Sequence, residues 1–201
     1  ELCYSCFYSD GSFELNLKKI KEYHIKICKD LFTEDHVVFD LLESIFTKLA
    51  TRNPQLATRN SKLATSSDFE YDQIVSLGEI LSTTIISEFL NLKEDYCKFK
   101  DIRDSLKTDK QYREANVDWE LTETLCKEHF SFKDTSKYIT QGFIGGAFGG
   151  TTTTLGREGS DYTAAILANI LEAEKVIFWK DVPGILNADP AWFNDTVRLE
   201  N

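Results

Sequence analysis

The stretch from Tyr138 to Trp179 constrains the fold more than any other part of the chain. It reads YITQGFI, then a segment crowded with Gly142, Gly145, Gly146, Gly149, Gly150 and Gly156 and with four consecutive Thr at 151–154. An apolar run and then KVIFW follow. Tyr138 to Ile144 has the β-branched and aromatic content of a short strand, and Lys175 to Trp179 that of a second one. Between them the Gly/Thr segment reads as a loop, and Ser160 opens a helix that runs to about Ala173. Its Ala164, Ala165, Ile166, Leu167, Ala168, Ile170 and Leu171 are apolar nearly all round, which predicts a buried helix. Strand, Gly-rich loop, buried helix and strand is the order of an α/β domain with a parallel sheet. Trp179 then belongs to the core, and Asp181-Val-Pro-Gly184 is a turn.

Upstream the text is helical. Leu17, Ile20, Tyr23, His24, Ile27 and Leu31 fall at helical spacing between Leu15 and Phe32. Thr33 with Asp35 looks like the cap of a second helix carrying Val37, Leu41, Leu42, Ile45, Phe46 and Leu49. LATRNPQ, LATRNSK and LATSS then form a near-repeat with Leu49, Leu56 and Leu63 seven apart. Pro54 interrupts it, so 49–67 reads as a surface connection. Asp72 to Leu90 is the next helix, interrupted by Ser76, Gly78 and Glu79; an interior Gly costs about 1 kcal/mol against Ala. Residues 93–119 read as a strand edge and a loop, and Leu121 to Phe130 as a helix. No Pro- or Ser-rich linker divides the 201 residues, which predicts one domain.

Charge narrows the partners. Lys plus Arg is 23 and Asp plus Glu is 33, a formal net charge of −10. Such a balance argues against a nucleic-acid clamp and against a polybasic membrane patch. It leaves room for a nucleotide, which needs only a few local donors. No apolar run matches a membrane span, and no signal peptide opens the chain. Five Cys, an odd number, predict free thiols in a reducing compartment, hence the cytoplasm. Cys3, Cys6, His24 and Cys28 superficially resemble zinc ligands, but the gap between the pairs is too long and Cys28 sits on a helix with its own apolar face. No metal site is therefore expected. His36 and His129 read as surface or helix-end residues. The chain starts at Glu1 and contains no Met, so it is expected to be a piece of a longer protein.

Chemistry concentrates in TTTTLGREGSD at 151–161 and KDVPGILNADP at 180–190. A Gly/Thr-rich loop brings backbone N–H groups near an anion, and the helix start at Ser160 adds unpaired amides and a positive dipole end. Arg157 adds a planar fork suited to carboxylate or phosphate. The same loop reads equally as a plain turn. Asp161 is either a favourable first-turn acid or the holder of a catalytic cation. Asp181 follows a strand end, where α/β sheets bind ligands, though a Pro-Gly turn with an Asp cap explains it as well.

Taken together, SLGE (76–79), TQGFIGG (140–146), TTTLGREGSDYTAA (152–165) and KDVPGILNADP resemble aspartate kinase, a member of the amino-acid kinase superfamily. The resemblance covers nearly the whole chain. It implies a three-layer α/β/α sandwich of the carbamate kinase-like type with a mainly parallel sheet. It also implies a cytoplasmic enzyme that transfers the γ-phosphoryl of ATP, with Mg²⁺, to the β-carboxylate of L-aspartate, the first step of lysine, threonine and methionine biosynthesis. By this resemblance Glu79 engages the substrate ammonium and Arg157 its α-carboxylate. Gly159 and Ser160 lie beside the substrate, and Asp161 orients the catalytic lysine. Lys180, Asp181, Gly184 and Leu186 hold the nucleotide. A homodimer is implied too, and neither nucleic acid nor membrane.

The departures are specific. The K-F-G-G motif with its phosphate-binding lysine and the regulatory ACT domains are absent, so 1–201 corresponds to a partial catalytic domain, expected to be inactive alone. Lys180 stands where the family usually has Thr, Leu186 where it often has Tyr, and Ala191 where it often has Arg. A sister amino-acid kinase with another substrate, or a non-catalytic nucleotide- or amino-acid-binding relative, is the alternative.

Overall fold

The computed structural model describes residues 13–57, 67–93, 96–180 and 184–199, with backbone alone at 51–57 and 67. Three helices come first: α1 (Phe13–Leu31), α2 (Val38–Ala57) and α3 (Ser67–Leu92). Then follow β1 (Lys98–Phe99), a 3-10 turn (Ile102–Asp104), β2 (Lys107–Thr108), α4 (Trp119–His129), β3 (Tyr138–Ile139), β4 (Ile144–Ala147), β5 (Thr151–Thr154) and α5 (Gly159–Ile170).

Strand pairing places the glycine- and threonine-rich segment in the sheet. β1 pairs with β3 in parallel, Lys98 opposite Tyr138. β2 pairs with β4 in parallel, Lys107 opposite Gly146. β4 and β5 form an antiparallel hairpin, with Ile144 opposite Thr154 and Ala147 opposite Thr151. The four threonines, expected in a loop, are therefore a strand, in keeping with their β-branching. The expected strand 138–144 is broken into β3 and β4.

α3 is the middle helix. Ile80 touches both the helical core of Cys28, Val38, Leu42, Phe46 and Leu81 and the sheet core of Ile102, Leu106, Ile144, Ile166 and Ile170. The strands lie between α3, backed by α1 and α2, and the α4–α5 pair. Helix, sheet and helix layers result, as expected. By length and composition α3 could cross a membrane. Its polar residues give it another task. Gln73 Nε2 donates to the Thr152 carbonyl at 2.5 Å, and Thr152 N–H donates to Gln73 Oε1 at 3.2 Å. Thr154 N–H donates to Asp72 Oδ2 at 2.9 Å. Side chains of α3 thus satisfy the edge of β5, which would otherwise be an open template for pairing.

Three expectations need correction. α2 continues through Pro54 to Ala57, and 58–66 lie outside the described residues. KVIFW at 175–179 is not a strand: no described strand pairs with it, Ile177 is 65 % exposed and Trp179, expected in the core, is 91 % exposed. A strand requires ladder partners, and periodicity alone cannot supply them. α5 buries a single stripe, Gly159, Thr163, Ile166 and Ile170, while Ala165 is exposed. Both histidines are helix-end residues, as expected. His36 Nδ1 accepts from Val38 N–H at 3.2 Å at the start of α2, and His129 Nδ1 lies 2.8 Å from the buried Ser105 hydroxyl.

The close approach of β4 to the 3-10 turn depends on Gly146. A Cβ there would overlap the Arg103 carbonyl oxygen and lie 3.0 Å from its carbon. Backbone cannot yield as a flexible side-chain end does. Gly146→Ala is expected to destabilise the fold by about 2–3 kcal/mol, read as a lower urea midpoint at constant slope.

Candidate functional site

One cavity of about 880 Å³ gathers the chain's chemical residues. Three pieces of backbone build its wall. α3 delivers Asp68, Tyr71 and Glu79; the loop at 111–114 delivers Tyr112 and Arg113; the passage from β5 into α5 delivers Arg157, Glu158, Gly159, Ser160 and Asp161. Lys180 reaches the same cavity from beyond α5.

The helix start is fixed by close packing. A Cβ at Gly159 would meet the Phe143 ring at 2.7 Å, and one at Gly142 would meet Ser160 Cα at 3.0 Å. Two glycines, one on each side, let α5 begin directly against the entry to β4. Thr163 Oγ1 locks the contact by accepting from Phe143 N–H at 3.0 Å. Glu158, the residue before α5, sits in the left-handed region at φ 56 and makes no side-chain cap bond. The first-turn amides are thus not closed off by the usual capping oxygen, which suits an anion at this end.

Charges are distributed unevenly. Glu79 is half-buried and has neither an ion pair nor a side-chain hydrogen bond among the described residues. Burial raises its carboxyl above the ordinary 4.5. Arg157 is 94 % exposed, and its Nε lies 3.9 Å from Glu158, too far for a strong pair. Lys180 Nζ is 2.7 Å from Asp161 and 3.5 Å from Glu158. The hydrogen bond to Asp161 is the main cause holding that ammonium above its ordinary value. Asp161 is therefore engaged by a lysine, rather than capping its helix.

Asp72 supports the wall from behind. It is fully buried and accepts from Arg113 N–H at 2.9 Å, Thr154 N–H at 2.9 Å and the Thr154 hydroxyl at 2.8 Å. Desolvation outweighs those donors, and its carboxyl lies above the ordinary 3.8.

Six residues expected at a site, Glu79, Arg157, Gly159, Ser160, Asp161 and Lys180, line this one cavity. Asp181 lies outside the described residues. Gly184 and Leu186 do not line the cavity. They sit in the exposed C-terminal segment, where Leu186 bridges to Arg198 and a Cβ at Gly184 would meet the Arg198 guanidinium. Without a strand at 175–179 to carry them, Gly184 and Leu186 are not brought to the cavity. Sequence reading passed over Asp68, Tyr71, Tyr112 and Arg113, because an aperiodic polar loop and the first turns of a helix carry no motif. Cys3 and Cys6 lie outside the described residues. Cys28 is buried, and His24 Nδ1 is 2.8 Å from the Ile20 carbonyl. Among the described residues no cluster of His, Cys, Asp and Glu could hold a metal ion by itself.

A wall with a half-buried acid that lacks a partner among the described residues, a loosely held guanidinium and a helix start can hold a small zwitterion beside a polyanion. The chain is similar to known proteins. The model of the "Amino acid kinase family" matches residues 17–201. Lysine-sensitive aspartokinase 3 of Escherichia coli is 40 % identical over 130 residues, 64 % of this chain and 29 % of that protein. A chloroplastic bifunctional aspartokinase/homoserine dehydrogenase 2 of Zea mays is 28 % identical over 192 residues, 94 % of this chain and 21 % of its own length. The crystal structure of E. coli aspartokinase III in complex with aspartate and ADP superposes with a TM-score of 0.87 at 31 % identity, covering 99 % of this chain and 44 % of that one. The chain thus spans under half the length of these relatives.

Proposed function

Because the chain belongs to the amino acid kinase family, we propose that it is part of the catalytic domain of an aspartate kinase, which transfers the γ-phosphoryl of ATP to the β-carboxylate of L-aspartate. The observation that carries this reading is the convergence of Glu79, Arg157 and the start of α5 on one cavity.

Aspartate has two carboxylates and one ammonium. Glu79, desolvated and lacking a cation, gains an ion pair when the ammonium arrives. Arg157 meets the α-carboxylate with a two-pronged fork. The β-carboxylate is already ionised at neutral pH, so its oxygen attacks the γ-phosphorus without a general base. The P–O bond to ADP breaks as the new P–O bond forms, giving an acyl phosphate. Phosphoryl transfer of this kind asks the protein for position and charge neutralisation more than for covalent help. The start of α5 at Gly159 and Ser160 supplies dipole charge where the phosphoryl passes, the Gly159 amide itself being bonded to the Gly156 carbonyl at 3.2 Å. Lys180 supplies a cation there, held in place by Asp161. Asp181, Gly184 and Leu186 belong in this reading to the nucleotide side. Mg²⁺ would be held largely by the nucleotide phosphates, with Glu158, only loosely paired with Lys180 at 3.5 Å, as the carboxylate able to join it. There it would neutralise phosphate charge. In this reading the enzyme is a cytoplasmic homodimer.

The test is ADP release and hydroxylamine trapping of the acyl phosphate in the whole protein. Product is expected only when both ATP and aspartate are present. Turnover that is independent of aspartate, or faster with another acid in a panel of amino acids and carbamate, overturns the assignment.

A further inference from the structure

We propose that Gln141 is a positioning residue for this cavity: through the Thr83 hydroxyl it fixes the turn of α3 that carries Glu79, and with Gly142 it spans from that turn to the start of α5. The inference rests on the aspartate reading and adds what holds Glu79 at a set span from α5.

The chain of bonds is short and buried. Gln141 lies just past the end of β3 and is 1 % exposed. The Ile102 N–H donates to its Oε1 at 2.9 Å. A backbone N–H only donates, so this bond dictates which way round the amide sits. Nε2 is thereby turned to α3, where it donates to Thr83 Oγ1 at 3.2 Å. The Thr83 hydroxyl, itself buried, donates onward to the Glu79 carbonyl at 2.7 Å, with the Ile80 carbonyl farther off at 3.3 Å. A hydroxyl has one proton to give, and the shorter bond ends on the residue that lines the cavity.

That turn of α3 needs holding. Gly78 precedes Glu79, weakens the helix, and has nothing within 4 Å of the place its Cβ would take. A Thr hydroxyl bonded to the carbonyl four residues back also bends a helix. The bond from Gln141 fixes where that hydroxyl points, and so fixes the local bend. Glu79 has no side-chain partner among the described residues, so its backbone sets its position. The next residue completes the span. A Cβ at Gly142 would lie 3.0 Å from Ser160 Cα, so the backbone here rests on the first turn of α5. Two adjacent residues thus connect the turn of Glu79 to the turn of Ser160, and both turns line one cavity. A buried polar network with its bonds made rigidifies what it joins.

Ser82 supplies a control. Its exposed hydroxyl also reaches the Glu79 carbonyl, at 3.1 Å, and among the described residues it has no bond to Gln141. The experiment measures kcat/KM for aspartate and the KM for ATP in the whole protein. Thr83→Val, Thr83→Ser and Ser82→Ala are each made in wild type and in Glu79→Gln. Thr83→Val keeps the shape and removes the hydroxyl. Thr83→Ala, with the best helix former, is the second hydroxyl-free variant, and thermal melting checks the fold of each. Loss of the hydroxyl is expected to lower kcat/KM for aspartate roughly ten- to a hundredfold, the cost of a small misplacement, with the ATP KM unmoved. Thr83→Ser is expected to recover most of the loss, and Ser82→Ala to behave as wild type. In Glu79→Gln the carboxylate to be placed is gone, so the same loss is expected to shrink to less than about threefold. A purely structural role would cost the same in both backgrounds. Equal losses in the two backgrounds, an ATP KM that rises with that of aspartate, a Ser82→Ala as damaging as Thr83→Val, or failure of both hydroxyl-free variants to fold overturns the proposal. A wild type that turns over no aspartate overturns the kinase reading and this inference together; an active wild type beside an undamaged Thr83→Val overturns this inference alone.

Discussion

Arg157→Ala in the whole protein is expected to lower kcat/KM for aspartate by roughly 10²–10³ while leaving the melting temperature unchanged, because a charge-assisted bidentate contact is lost from the bound state only. The side chain is 94 % exposed and only loosely paired, so the fold does not depend on it. Glu79→Gln is expected to be as damaging to turnover and yet to stabilise the protein slightly. Burial raises the Glu79 carboxyl above 4.5, so the folded state binds its proton more tightly than the unfolded chain does. Wild-type stability contributed by this group is therefore fullest below the ordinary value and declines as pH rises through the raised one. In Glu79→Gln that decline is absent. Substrate reverses the balance, since an ammonium beside Glu79 favours its charged form. Aspartate affinity is expected to rise with pH across the same window in wild type and to lose that slope in Glu79→Gln. A stability curve that is steeper in the variant, or unchanged aspartate binding, would show that the carboxylate does not face the ligand.

The α/β class, the helices and the part of the cavity wall at Glu79 and the start of α5 were legible in the sequence because each leaves a local trace. Helical spacing marks α1 and α3. The run SLGE and the block around LGREGSD mark Glu79, Arg157 and Asp161. What escaped has non-local causes. The four threonines became β5 because α3, about 80 positions earlier, supplies Asp72 and Gln73 to its edge. Nothing within five residues of Thr152 announces that. KVIFW failed in the opposite sense: its composition suits a strand, but no described strand lies beside it. Arg113 left no trace at all. Its place on the cavity wall goes with a positive φ and a ring beneath it, and its partners Tyr71 and Asp72 lie some 40 positions away.

Asp72→Ala is expected to cost about 3–4 kcal/mol in urea denaturation, the largest stability effect of any substitution near the cavity. Three donors converge on this carboxylate: two backbone N–H groups, of Arg113 and Thr154, and the Thr154 hydroxyl. Alanine leaves them without an acceptor in a site that is fully buried, and an orphaned buried donor costs roughly 1–3 kcal/mol. Asp72→Asn, with its amide oxygen in the place of Oδ2, keeps the acceptor shared by the Arg113 and Thr154 N–H groups and turns its NH₂ toward the Thr154 hydroxyl, which can accept, so a smaller loss is expected. The pH dependence separates two accounts of the residue. If the donors dominated, the carboxyl would be depressed, and the gap between wild type and Asp72→Ala would widen as pH rises. Desolvation dominates instead, and the carboxyl lies above 3.8. The folded state then holds the proton more tightly, so Asp72 contributes most when protonated. The gap is expected to narrow as pH climbs from below 3.8 through the raised value. Because Asp72 anchors both the strand leading to Arg157 and the turn carrying Arg113, the folded fraction of Asp72→Ala is also expected to bind aspartate more weakly. A variant that keeps wild-type affinity while losing stability would confine Asp72 to the fold.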